Sequence, residues 1–221
     1  NSYCKRFTDC SQCPKTAGDI LTYRKFPKGQ HFPADKCISN CMLFMIKGEL
    51  LINSQEYPGT TLHDRQFILQ AIGSKLELLA LTDVEYIVYW FNELPQICES
   101  RYQKILDITE APLTYSPMIM NYRLNNFMAD LGEYLTEGPS CEPYIRLKTQ
   151  ELIFLLFSYY PLPQLNNFFF PIKSYTESFQ YFIMQNYSKV KNVEEFAHLG
   201  GYSVTTFRRL FKNMYNVPVY E

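Results

Sequence analysis

Residues 201–213 read GYSVTTFRRLFKN, three cations and no acid in a chain whose formal net charge is -1. Wound as a helix, the stretch sorts into two faces. Phe207, Leu210, Phe211 and Met214 recur at i, i+3, i+4 and i+7, a stripe that packs inward. Thr205, Arg208, Arg209 and Lys212 recur at the same spacing on another side and face outward, offered to something negatively charged. Just upstream, Asn192 is placed to cap a helix that carries Glu195 at its third position. Val193, Phe196 and Ala197 face inward before Gly200-Gly201 closes that helix. Gly201 supplies the positive φ of a tight corner, and Ser203 caps the helix that follows. The expectation is helix, glycine turn, helix, with the small Ala197 where two steeply crossing helices touch.

In such a corner the second helix lays its N-terminal half in the DNA major groove. Ser203, Thr205, Thr206, Arg208, Arg209 and Lys212 are therefore the candidate DNA-binding residues. An arginine donates to guanine O6 and N7, Thr205 touches a thymine methyl or a phosphate, and Lys212 suits a phosphate. The competing reading is a two-helix corner whose basic face is merely solvated. Charge favours a local footprint, because residues 1–173 hold 16 Lys and Arg against 18 Asp and Glu, and residues 174–221 hold 5 against 4. Affinity for DNA follows the number of phosphates neutralised, so a module this weakly basic needs a second copy or a second module.

Upstream the period changes. Residues 19–93 read as strands: Cys41-Met-Leu-Phe-Met-Ile46, Leu50-Leu-Ile52, Gln66-Phe-Ile-Leu69, Lys75-Leu-Glu-Leu-Leu-Ala-Leu81 and Glu85-Tyr-Ile-Val-Tyr-Trp-Phe91 are short and rich in β-formers. Lys47-Gly48, Asn53-Ser54, Pro58-Gly59, Gly73-Ser74 and Thr82-Asp83 punctuate them. That spacing predicts a hollow barrel or a sandwich, and a hollow barrel is a container for small molecules. From Pro95 onward the pattern is helical. Leu124, Phe127, Met128, Leu131 and Leu135 stripe one helix, ended by Gly138-Pro139, and residues 144–160 form a second, stopped by Pro161 and Pro163. This hairpin either covers an open edge of the barrel or pairs its first stripe with a second copy; dimerisation through those five residues is the expectation. Residues 162–171 read as a connector, with a third helix over residues 174–187.

With 221 residues, 47% hydrophobic, the chain can bury a large core, and its 18 Tyr and 17 Phe make that core aromatic. No run of 18 apolar residues occurs, and the N-terminal NSYCKRFTDC has no apolar signal region, so neither membrane insertion nor export is indicated. The seven cysteines, Cys4, Cys10, Cys13, Cys37, Cys41, Cys98 and Cys141, are odd in number and scattered. They read as reduced thiols of a cytoplasmic protein. A zinc site or a redox pair are the alternatives for Cys10-Ser-Gln-Cys13 and for Cys37 with Cys41, against plain small hydrophobes and a loose N-terminal arm.

Residues 192–221 resemble the first of two helix-turn-helix units in AraC/XylS-type transcription regulators. Tyr202-Ser203 at the cap, Phe207-Arg208-Arg209-Leu210-Phe211-Lys212 and Val217-Pro218 carry the likeness, and residues 146–161 are similar to the helix before the linker of such proteins. The resemblance implies an α+β protein of two domains. Residues 1–172 would be a cupin-like sensor barrel (about 19–93) with a helical dimerisation hairpin (about 96–161) and connector; residues 173–221 would be a partial all-α DNA-binding domain. It implies a homodimer that binds double-stranded DNA and responds to a small-molecule effector in the barrel. Asn216 stands where the family has Gly, a mild departure because Asn tolerates the left-handed conformation. The chain stops at Glu221, where the family continues into a linker helix and a second DNA-reading unit, and it lacks an initiator Met; both read as truncation.

Tyr23, Arg24, Phe44, Tyr57, His63 and Trp90 are the candidate effector-binding residues. An enzyme of the metal-cupin type needs clustered imidazoles and a carboxylate. The three histidines, His31, His63 and His198, form no His-x-His, and GxSxG, GxGxxG and GxxxxGK are missing. No enzyme, metal or cofactor is expected. A third reading makes the barrel a dimerisation or protein-interaction module with no effector.

Overall fold

Short runs of β-branched and aromatic residues broken by turn residues form strands because such side chains pack well on a pleated surface. The computed structural model describes residues 20–91, 94–95, 104, 114–137 and 142–219. Its strands are β1 (Leu21–Phe26), β2 (His31–Lys36), β3 (Asn40–Lys47), β4 (Leu50–Ser54), β5 (Thr60–Leu62), β6 (Gln66–Gln70), β7 (Lys75–Ala80), β8 (Val84–Phe91) and the two-residue β9 (Met118–Ile119). They make a five-stranded sheet in the order β1-β8-β3-β6-β9 and a four-stranded sheet in the order β2-β7-β4-β5. Every pairing is antiparallel, for example Met42 opposite Tyr89 and Leu51 opposite Leu79. The chain changes sheet at nearly every turn, which is the winding of a jelly-roll sandwich. At Gly48 (φ 94°), a Cβ would stand 2.3 Å from the Asp83 carbonyl oxygen, so this turn tolerates only glycine.

The expected hollow barrel is corrected to a filled sandwich. Cys41, Leu43 and Met45 of β3 point between the sheets and meet Leu50, Ile52, Tyr57, Leu62, Ile68, Leu78 and Val88. The alternate residues of β3, Met42 and Phe44, are equally inaccessible, at 0% exposure, so the outer face of the five-stranded sheet is covered too. Helices cover it. Helix α1 (Tyr122–Glu137) comes so close that a Cβ at Gly132 would stand 3.2 Å from the Tyr23 ring. Helix α2 (Glu142–Tyr159) and the start of α3 (Leu162–Asn186) follow. The Phe67 ring of β6 meets Tyr160 and Phe168 edge-on, with centroids 5.7 and 5.1 Å apart.

This arrangement corrects the dimerisation stripe. Leu124, Phe127, Met128 and Leu131 are buried inside the single chain, and Leu135 is half-buried. Burying four such side chains is worth roughly 6–12 kcal/mol, and the outer face of the sheet already claims them. The large hydrophobic side chains that α2 exposes are instead Leu147, Phe154 and Tyr159.

The connector is corrected as well, because residues 162–186 are one helix. Pro163 falls in its first turn, where the missing N–H has no intrahelical acceptor to lose. Leu165, Phe168 and Phe169 form a buried stripe whose packing outweighs the helix bond that Pro171 removes. The chain divides into two compact units, Asn1–Phe170 and Pro171–Glu221. In the second, the last turns of α3 pack with α4 (Val193–Leu199) and α5 (Val204–Tyr215) around Phe179, Ile183, Val193, Phe196, Ala197 and Phe207. The described residues are therefore α+β, a jelly-roll sandwich followed by helices. No described helix is long and apolar enough to cross a membrane. Cys4, Cys10, Cys13, Cys98, Cys141, Gly138-Pro139 and most of residues 96–113 lie outside the described residues.

Candidate nucleic-acid interface

The corner of α4 and α5 is built by local chemistry. Asn192 caps α4, its side-chain oxygen accepting from the Glu195 N–H at 2.8 Å, while the Glu195 carboxylate returns to the Lys191 N–H at 2.8 Å. The carboxylate thus reaches one residue further back than a capping box does. At the other end the Tyr202 N–H donates to the Ala197 carbonyl (2.8 Å) and the Gly201 N–H to that of His198 (2.9 Å). With Gly201 left-handed at φ 69°, this is a Schellman ending. Ser203 then caps α5, accepting from the Thr206 N–H at 3.1 Å and donating to the Thr206 hydroxyl at 2.9 Å. Asn216 ends α5 in the left-handed conformation, φ 54°. Gly201→Ala is expected to lower the stability of this unit by about 1–2 kcal/mol, since a Cβ at positive φ is strained; a chemical-denaturation midpoint checks it.

The two faces of α5 separate. Phe207 is wholly buried, its ring centroid 4.8 Å from Phe196 and 5.5 Å from Phe179, and Leu210, Phe211 and Met214 are half-buried against the same cluster. Thr205, Arg208 and Lys212 are exposed and Arg209 is half-buried. Arg208 Nη2 lies 3.6 Å from Glu194 Oε1 of α4, with both side chains largely in solvent. Such an exposed pair is worth about 0.2–1 kcal/mol and is readily exchanged for another anion. Ser203 and Thr206, grouped with the basic residues from sequence, spend their hydroxyls on the cap.

The six candidate effector residues do not converge. Phe44 is buried under the helices on the outer face of the five-stranded sheet. Tyr23 lies beneath α1 and donates to the Glu85 carboxylate. Burial first, and then that bond, push its hydroxyl up to about 12. Arg24 is exposed, Trp90 is half-buried against the sandwich interior, and His63 is exposed with Nδ1 3.4 Å from Glu49. Tyr57 alone of the six lines a cleft of about 400 Å³ in the first unit, together with Tyr115, Tyr160, Gln164, Asn167 and Phe168. Gln164, Asn167 and Phe168 fall in the expected connector, Tyr115 lies in a stretch without a period, and Tyr160 ends the second expected helix, so nothing in the sequence brings the five together. Among the described residues no three His, Cys, Asp or Glu come together as metal ligands.

No protein-family model and no curated protein match the chain. Solved structures similar to it include an RmlC-like cupin family protein with a double-stranded β-helix fold from Methanocaldococcus jannaschii, 16% identical with TM-score 0.30 over 33% of this chain and 69% of that one. The DMSP lyase DddQ from Ruegeria pomeroyi is 17% identical with TM-score 0.31 over 35% of this chain and 41% of that one. The CENP-C cupin domain of Drosophila melanogaster is 14% identical with TM-score 0.29 over 33% of this chain and 60% of that one. The chain spans less than two thirds of the length of the latter two.

Proposed function

We propose that the chain is a sequence-specific DNA-binding transcription regulator of the AraC/XylS type, with α5 as its reading helix. The observation that supports this is the basic edge of α5: Thr205, Arg208 and Lys212 exposed with Arg209 beside them, on a helix fixed from behind by Phe207. Arg208 and Arg209 are assigned to base edges or phosphates, Lys212 and Thr205 to the backbone. Three cations neutralise few phosphates, so tight binding draws on a second copy of the chain or a second DNA-contacting module. A small-molecule effector belongs to the N-terminal unit, where the aromatic cleft beside Tyr57 is large enough to hold one.

The test is enrichment from a random duplex library. The protein is expected to retain and enrich a defined sequence, with affinity falling as salt rises. Retention with no sequence enriched after several rounds, or none at low salt, overturns the reading.

A further inference from the structure

The cysteines Cys37 and Cys41 stand at the two ends of the corner where the chain leaves the four-stranded sheet after β2 and enters the five-stranded sheet at β3. Both are free thiols, Cys37 half-exposed and Cys41 2% exposed. The two thiols lie near enough for each to shift the other's proton affinity. The backbone around them is anchored to one neighbouring segment, residues 70–74. The Cys37 N–H donates to the Ser74 carbonyl at 2.9 Å, and the Cys37 carbonyl accepts from the Gly73 N–H at 2.7 Å. Asn40 Oδ1 accepts from the Ile72 N–H at 2.9 Å, and Cys41 is paired with Gln70 across the strands. Neighbouring thiols on a backbone held at both ends need side-chain rotation and a modest approach to reach the bonding distance of about 2.05 Å.

We infer that Cys37 and Cys41 are a modification site, a dithiol that a peroxide converts into a reversible disulfide clipping the two sheets together at this corner. Cys37 is attacked first because it is the sulfur that solvent reaches. The interaction with Cys41 holds the Cys37 thiol below the usual range; burial opposes this, the Ser74 hydroxyl adds to it, and the carboxylates of Glu56 and Asp35 act against it. The interaction with Cys37, and then burial, hold the Cys41 thiol well above its ordinary value. The Cys37 thiolate takes the distal oxygen of the peroxide as the O–O bond breaks, giving a sulfenic acid and hydroxide. The Cys41 sulfur then displaces the sulfenic oxygen from Cys37. The oxygen leaves as water, taking up the proton that Cys41 gives up. Two thiols lose two electrons in all, and with hydrogen peroxide the peroxide becomes two waters. This inference is independent of the DNA-binding reading.

Trypsin provides the assay, because cleavage after Lys36 and Lys47 releases residues 37–47 with both cysteines in one peptide. The intact folded protein is treated with hydrogen peroxide, denatured in N-ethylmaleimide and digested. The expected peptide is lighter by two hydrogens and carries no maleimide, and dithiothreitol before alkylation restores two. In Cys41→Ser, Cys37 is expected to stop at the sulfenic acid and to take up dimedone. In Cys37→Ser, Cys41 is expected to remain a maleimide-reactive thiol after the same treatment. Two maleimides on the oxidised wild-type peptide, a sulfinic Cys37 beside an alkylated Cys41, or cross-linking of this peptide to another cysteine would each overturn the assignment. Loss of the Cys41 thiol in Cys37→Ser would overturn the order of attack.

Discussion

Phe207→Ala is expected to unfold the C-terminal unit while the sandwich stays folded. Phe207 is at 0% exposure and meets the rings of Phe179, Phe196, Tyr202 and Phe211. Truncating a buried phenylalanine to alanine costs about 3–5 kcal/mol, through lost transfer energy and the cavity left behind. A unit of about 50 residues has roughly 3–7 kcal/mol in hand at 0.05–0.15 kcal/mol per residue. The loss therefore takes most of what holds α4 and α5 in place. Amide hydrogen exchange reads it locally: residues 193–215 should exchange at least a hundredfold faster, with β3 and β8 as internal reference. Phe207→Leu, which refills much of the volume, should recover most of the protection. Unchanged protection in Phe207→Ala would mean that the apolar face of α5 does not hold the corner together.

The local devices of this corner are the part most legible in the sequence. Asn192, Ser203, Gly201 and Asn216 act on backbone groups within five residues of themselves, so their chemistry fixes the outcome without knowledge of the rest. Strands β3, β4, β6, β7 and β8 were legible for a related reason, as turn residues bound each run. What an apolar stripe touches is a different question. The stripe on α1 was visible, yet period alone states how much must be buried and not what buries it. Strand β3 is apolar on both faces, and its second face, Met42 and Phe44, takes the helices that a second copy was expected to take. The prolines at 163 and 171 mask α3, because a helix-breaking residue is a stronger local signal than the short stripe of Leu165, Phe168 and Phe169. Strand β9, two residues paired with Gln66 and Phe67, has no period to read. The ion pair of Arg208 with Glu194 joins residues from two helices across the corner, a proximity that only the turn creates.

That ion pair sharpens the test of α5 as a reading helix. On a sequence enriched from a library, Arg208→Ala and Arg209→Ala are each expected to weaken binding by about 1–3 kcal/mol where the arginine grips a base pair, roughly 5- to 150-fold. Where it grips a phosphate, the loss should be nearly equal for all sequences and the salt slope should fall by about one. Docking on DNA requires wild-type Arg208 to give up Glu194, a cost of about 0.2–1 kcal/mol for an exposed pair, well below the gain expected from one good base contact. Glu194→Gln removes that competition and one negative charge from the edge of the footprint, so it should tighten binding a few-fold. Charge at this corner thus acts with opposite signs at two positions, which a destabilised corner cannot imitate, because unfolding weakens binding in every variant. Titration of labelled duplex at two salt concentrations separates the cases: unaltered affinity in both arginine variants and in Glu194→Gln would remove α5 from the interface.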